Sequence, residues 1–174
     1  GVKFRPGAFY PFWNRPICEL SDTCINLEHA FDVHGELLTK HILEAEEDDQ
    51  MVRRVEIFLR ERLPEPDPII DEINAIIDFV IETPSVTKVD QLVAEFALSK
   101  RTLQRLFSQY VGVTPKWVIN RYRLHEAVDL LDRGERIDFS QLAQDLGYFD
   151  QAHFIKDFKR MVGKTPAEYV RQSI

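Results

Sequence analysis

Apolar positions recur every three or four residues through most of this chain, the period of an amphipathic helix rather than the alternation of a strand. Ile69, Ile70, Ile73, Ile76, Ile77 and Val80 form one such stripe behind Pro68, a residue suited to a first helical turn. The stripe stops near Thr83-Pro84. A short helix is predicted from about Val89 to Phe96, a second from Ser99 to Val111, and a long one from Thr114 to about Asp132. The series then repeats with Asp138 to Leu146, Asp150 to Val162 and Pro166 to Gln172. Upstream, Cys24–Phe31 and Ile42–Leu63 read as helical, the latter with Met51, Val55, Phe58 and Leu59 on one face. Lys3 to Phe12 is aromatic and broken by prolines, which suits an irregular segment or a short strand, too short to form a sheet alone. The fold is therefore expected to be all-α, with a short irregular or β segment and a helical connector in front.

Alternate prolines in Leu63-Pro64-Glu65-Pro66-Asp67-Pro68 favour a stiff, extended connector. They divide the chain into an expected leading part, 1–67, and a helical part, 68–174. Within the second part the pattern Leu103-x3-Phe107-x3-Val111-Gly112-x-Thr114-Pro115 returns 51 residues later as Phe154-x3-Phe158-x3-Val162-Gly163-x-Thr165-Pro166. Each copy has the same physical grammar. Ser99 and Asp150 are good helix N-caps. Gly112 and Gly163 stand where a left-handed residue ends a helix at low cost. Thr114-Pro115 and Thr165-Pro166 then cap and open the next helix. A short amphipathic helix precedes each copy, with small residues at Val93 and Ala143 for close crossing and Gly147 for a left-handed turn. Helix, tight turn, helix is the helix-turn-helix pattern. The motifs are expected at about 88–111 and 138–162, joined by a linker helix over 114–132.

The predicted second helix of each motif has two chemically distinct sides. Leu103, Leu106, Phe107 and Tyr110 fall inward, and Arg101, Gln104, Arg105 and Ser108 outward. Arginine can grip guanine O6 and N7 with two hydrogen bonds, and glutamine can pair with adenine N6 and N7. In the second copy Phe154, Phe158, Met161 and Val162 fall inward, while Gln151, Ala152, Ile155, Lys156 and Lys159 face out. Contact with a thymine methyl would account for Ala152 and Ile155; packing of Ile155 on a neighbouring helix would do so equally well. His153, just after the cap, suits a local polar or packing role. Lys100, Lys116, Arg121, Lys159 and Lys164 suit phosphate contacts, which position a protein without reading sequence. The linker helix would hold the two readers about 34 Å apart, one turn of DNA.

Charge changes this picture less than its sum suggests. The chain carries a net charge of −7. Residues 1–67 hold 8 basic and 14 acidic residues, against 14 and 15 in residues 68–174. Between Ser99 and Arg123 lie Lys100, Arg101, Arg105, Lys116, Arg121 and Arg123 with no acid, a local basic footprint on a near-neutral part. Cys18 and Cys24 are too few for a disulfide framework, so a reducing cytoplasm is the expected setting. No apolar run approaches the roughly 18 residues of a membrane span, and no secretory signal opens the chain.

Other function classes fare worse. Cys18, Cys24, His29, His34 and His41 follow one another in sequence, but without the tight CxxC pairs of a structural zinc site. No Gly-rich phosphate loop or nucleophile elbow is found. The chain is expected to be no enzyme and to use no metal or cofactor. The alternative to a DNA reader is a helical protein-interaction module without DNA binding, which the acidic first part would suit. Apolar residues in Cys24–Phe31 and Ile42–Leu63 suffice for a homodimer contact through residues 1–67 or for packing within one chain.

Residues 68–174 resemble the DNA-binding domain of the AraC/XylS transcription regulators. The likeness runs through Leu98-Ser99-x-Arg101-Thr102-Leu103-Gln104-Arg105-Leu106-Phe107 and Val111-Gly112-Val113-Thr114-Pro115-Lys116-Trp117. It continues through Arg123-Leu124, Leu142-Ala143-x2-Leu146-Gly147-Tyr148-x-Asp150-Gln151-Ala152-His153-Phe154, and Gly163-x-Thr165-Pro166-x2-Tyr169. The resemblance implies seven helices, with the second helix of each motif in successive major grooves of double-stranded DNA. It also implies base contacts at Arg101, Gln104, Arg105, Gln151, Ala152, Ile155 and Lys156. It implies an effector-sensing or dimerising domain ahead of this unit. Gly1 to Ala8 would be the tail of that domain, so that most of a sensor for a small-molecule effector lies outside this chain.

Overall fold

The computed structural model describes residues 1–133 and 138–173. The elements are the helices α1 (Tyr10–Trp13), α2 (Leu27–Leu43), α3 (Asp48–Arg60), α4 (Pro68–Glu82) and α5 (Val89–Phe96), followed by α6 (Lys100–Leu106), α7 (Pro115–Asp132), α8 (Phe139–Asp145), α9 (Gln151–Val162) and α10 (Pro166–Ser173). A short 3₁₀ turn spans Ile17–Leu20, and α6 runs on into a π-helical turn, Phe107–Val111. Among the described residues there is no strand. The fold is all-α, as the apolar period predicts.

The helical repeat of the second part forms where its punctuation places it. Thr114 accepts from the Trp117 N–H at 3.1 Å, Asp150 from the His153 N–H at 2.7 Å, and Ser99 from the Thr102 N–H at 3.0 Å. Each of these side chains satisfies a backbone donor that the helix itself leaves free. Gly112 and Gly163 both take φ of +87°, the left-handed conformation that glycine adopts without a steric penalty.

The first part departs from its prediction in three places. The possible strand near Lys3–Phe12 is instead irregular chain with hydrogen-bonded turns leading into α1. The expected helix at Cys24–Phe31 starts later, at Leu27 behind its cap Asn26, and runs on to Leu43 across a kink at Phe31 and Asp32. The expected helix Ile42–Leu63 is broken between Leu43 and Asp48. The break falls on Glu44-Ala45-Glu46-Glu47-Asp48-Asp49. Negative charge is unfavourable at the C-terminal end of α2 and favourable in the first turn of α3, so the acidic run stops one helix and starts the next.

The chain forms two compact units. The first comprises Gly1–Ala75 with Gln104–Val113. Phe4, Phe9, Phe12, Phe31 and Phe58 form a chain of tilted, edge-on and stacked ring contacts in it, with centroids 5.1–6.4 Å apart. In the same unit the Tyr10 ring lies 4.1 Å from that of Tyr110, and the Gln109 amide donates to the Tyr10 hydroxyl at 2.6 Å. The Tyr110 hydroxyl donates to Asp67 at 2.9 Å, and the Ser21 hydroxyl to the Gly112 carbonyl at 2.6 Å. Burial, followed by the Asp67 hydrogen bond, pushes the Tyr110 phenol up to about 12.

The second unit comprises Ile76–Leu103 and Thr114–Ile174. Its core joins Leu124, Ala127 and Leu131 of α7 to Leu142 and Ala143 of α8, Leu146, Tyr148, and Phe154 and Phe158 of α9. Ala143, Phe154 and Phe158 are wholly buried. A residue as small as alanine at 143 is what lets α8 and α9 cross closely, the role its size predicts.

Candidate nucleic-acid interface

Each motif shows the two-sided reading helix that the repeat predicts. On α6 and its π turn, Leu103, Leu106, Phe107 and Tyr110 are buried, and Arg101, Gln104, Arg105 and Ser108 are exposed. The turn widens after Leu106 because the Gly112 N–H reaches the Phe107 carbonyl at 2.8 Å, five residues back. The predicted regular helix Ser99–Val111 is thus α-helical only in its first half, the half that carries Arg101, Gln104 and Arg105.

On α9, Gln151, Ala152, Lys156 and Lys159 are exposed, and Ile155 is half-buried. Ile155 packs against the core of the second unit while still lining a shallow depression of about 580 Å³ with Ala152, Lys156, Lys159 and Arg160. The packing alternative holds for one edge of the Ile155 side chain, and its other edge faces out. The His153 ring stands edge-on to Tyr148 at 5.3 Å and its Nε2 lies 3.6 Å from Asp157, so it has a local role.

The expected phosphate-binding cations are spread around these faces. Lys116 and Lys159 are exposed, and Arg121 and Lys164 are half-buried. Lys164 reaches Gln172 at 2.6 Å and lies over the Tyr169 ring. Lys100 pairs with Asp90 at 2.6 Å, both largely in solvent. Such a pair holds its partners weakly and leaves the ammonium able to exchange to another anion.

Arg123 corrects the basic footprint read from sequence. It is buried, with its guanidinium 4.1 Å above the Tyr148 ring, and so contributes no surface charge to the run from Ser99. It belongs to a polar network between α7 and α9 that periodicity did not disclose. Arg123 donates to Asn120 at 3.4 Å, and Asn120 donates to Asp157 of α9 at 3.3 Å. Asp157 also meets Arg160 at 3.1 Å. Burial lowers the basicity of Arg123 from its ordinary value, and burial pushes the Tyr148 phenol up to about 12. The network ties α9 to α7 through the Asn120–Asp157 hydrogen bond, while Arg123 Nε and Nη2 are buried without a hydrogen-bond partner among the described residues. Its one sequence signal is Asp157, an acid directly after the reader Lys156 on an otherwise basic helix.

The turns of the two motifs differ. In the first, left-handed Ala97 (φ 51°) is followed by Leu98 and the cap Ser99. In the second, left-handed Gly147 (φ 68°) is followed by Tyr148, Phe149 and the cap Asp150. One residue is added.

Cys18 and Cys24 are free thiols on the surface. Among the described residues no group of three or more His, Cys, Asp and Glu side chains converges, and no helix is long and apolar enough to cross a membrane.

Known proteins share this arrangement. The family of helix-turn-helix domains matches residues 92–172. The chain is 40% identical over 77 residues to the HTH-type transcriptional activator RhaS of Escherichia fergusonii, covering 44% of this chain and 27% of that protein. It is 26% identical over 102 residues to the transcriptional regulatory protein HptR of Staphylococcus aureus, covering 58% of this chain and 40% of that protein. The chain therefore spans between about a quarter and two fifths of these relatives' length. A solved probable AraC family transcriptional regulator from Rhodopseudomonas palustris superposes with a TM-score of 0.51 at 23% identity, over 56% of this chain and 93% of that one. That likeness supports the fold.

Proposed function

This chain belongs to the AraC/XylS-type transcription regulators through its helix-turn-helix region, and on that premise we propose that it binds specific double-stranded DNA and regulates transcription from it. Residues 68–174 act as the DNA-binding part. The reading helices α6 and α9 enter successive major grooves, and Arg101, Gln104, Arg105, Gln151, Ala152, Ile155 and Lys156 touch base edges. Lys100, Lys116, Arg121, Lys159 and Lys164 hold phosphates. One observation carries this reading. Two helices related by a 51-residue repeat bury the same repeat positions, Phe107 and Phe158, and expose hydrogen-bonding or cationic side chains opposite them. A merely solvated face would not need arginine and glutamine in the first two turns of α6 and glutamine with lysine in those of α9.

The chain works in the cytoplasm, without catalysis, as one part of a regulator. A second copy docks through residues 1–67, where Val33, Leu37, Leu43, Val52 and Ile57 are exposed on α2 and α3. A small-molecule effector acts through a sensor domain outside this chain. Selection of duplexes from a randomised pool, followed by salt titration of the enriched site, tests the central claim. Enrichment of one sequence, with affinity falling steeply as salt rises, is expected because phosphate contacts release counterions. Absence of any salt-dependent duplex binding would leave the protein-interaction module as the better reading. Sedimentation of the chain at rising concentration tests the dimer.

A further inference from the structure

Phe149 is 92% exposed, more than any other exposed large hydrophobic residue described. A single apolar residue in water needs no special account, but this one stands directly ahead of the cap of α9. There an apolar residue ordinarily folds back onto the fourth helical residue. That residue is Phe154, and its ring is already covered by Tyr148, 5.4 Å away at 62°. Tyr148 is 6% exposed, so the staple is complete without Phe149. The longer turn explains how. Between the left-handed residue and the cap the first motif has only Leu98, which is half-buried, whereas the second has Tyr148 and Phe149. Tyr148 takes the inward place and the added residue is turned out.

The surroundings indicate what the ring meets. Reading helices meet base edges with their N-terminal residues, so the residue before the cap stands at the edge of the duplex. Exposed side chains along the same helix include Gln151, Lys156, Lys159 and Arg160. The acids nearby are engaged: Asp150 accepts from the His153 N–H, and Asp157 is buried against Asn120 and Arg160. The face is cationic, which suits a polyanion.

Resting on the DNA-binding reading above, we propose that Phe149 is a further DNA-contact residue, its ring packing on the apolar surface of the duplex beside the groove read by α9. A thymine methyl and a deoxyribose ring offer the same chemistry there. The test uses the whole chain and a duplex selected from a random pool, with F149A and F149L as variants. F149A is expected to melt with wild type, to lose about tenfold in affinity, as one apolar interface side chain would, and to keep the salt slope, since no cation is lost. F149L should recover most of the affinity. Replacing thymines by deoxyuridine separates the two sources. If a methyl is the contact, one replacement weakens wild type and leaves F149A unchanged; if the sugar is, wild type is indifferent and F149A still loses tenfold. Wild-type affinity in F149A overturns the inference while leaving the DNA-binding reading intact, and a lowered melting temperature for F149A overturns it by putting the ring in the core. If wild type selects no duplex, the DNA-binding reading fails, and this inference fails with it.

Discussion

At the scale of single residues, the outward and inward sides of the reading helices follow from spacing alone. Arg105 is exposed on α6, so R105A should leave the melting temperature within a degree or so of wild type. It should cost roughly 1–3 kcal/mol of binding to the selected duplex if the guanidinium grips a guanine. Equal affinity, measured by titration at fixed salt, would remove Arg105 from the reading face. Arg123 shows where residue-level reading stops. Its charge placed it on the surface, yet it lies buried over Tyr148, where a ring face and the Asn120 amide, contributed from other positions, hold part of the guanidinium and its Nε and Nη2 have no hydrogen-bond partner among the described residues. Tyr148 gives that burial a pH signature. Its folded-state pKa of about 12 lies above the ordinary 10.0. The stabilisation tied to its protonated form is therefore complete below pH 10 and is lost as pH rises toward 12. Tyr110, also pushed to about 12, adds to the same window. Melting temperature should fall over that range. Y148F should flatten part of the fall and cost little near pH 7, since the buried Tyr148 hydroxyl has no hydrogen-bond partner. An unchanged alkaline profile for Y148F would refute the assignment.

At the scale of elements, legibility tracks how local the determinants are. Caps, helix-ending glycines and first-turn prolines act within four or five residues, and α5 and the helices from α7 to α10 lie within one or two residues of their predicted bounds, whereas α6 ends five residues early, at Leu106. The π turn after Leu106 was not legible, because it needs a hydrogen bond one residue longer than the periodic pattern assumes. The kink of α2 at Phe31 and Asp32 was equally hidden: Phe31 is drawn into contact with Phe9, Phe12 and Phe58, residues far away in sequence. Phe107 and Phe158 are wholly buried at equivalent positions of the repeat. F107A and F158A should each cost about 3–5 kcal/mol in denaturant unfolding, a large share of an ordinary domain's stability. D150A should cost about 1 kcal/mol by freeing the His153 N–H at the start of α9. Wild-type stability for both phenylalanine variants would mean the helical register is misassigned.

At the scale of the whole molecule, the repeat was visible but its partners were not. Gln104–Val113 belongs with the first 75 residues through Tyr10, Ser21 and Asp67, contacts between 43 and 99 residues apart that no periodicity encodes. The start of the first motif behaves differently. Helix α5, the first turn of α6 with Arg101, α7, α8 and α9 all lie in one compact unit. Helix α7 is continuous from Pro115 to Asp132, with Val118, Ala127 and Leu131 buried along it and the Asn120–Asp157 contact holding α9. Such a linker should act as a ruler. The preferred site should then hold two base-specific blocks about 10–10.5 base pairs apart, centre to centre. Inserting roughly 5 base pairs, half a helical turn, puts the blocks on opposite faces of the duplex. Binding should fall toward that of a single motif. K156A should then weaken the intact site far more than the spaced one, because only the intact site engages α9. N120A, which breaks the contact to Asp157, should loosen the ruler and narrow the gap between the two sites. Equal affinity of wild type for intact and spaced duplexes would mean that the motifs are loosely tethered or that one alone reads DNA.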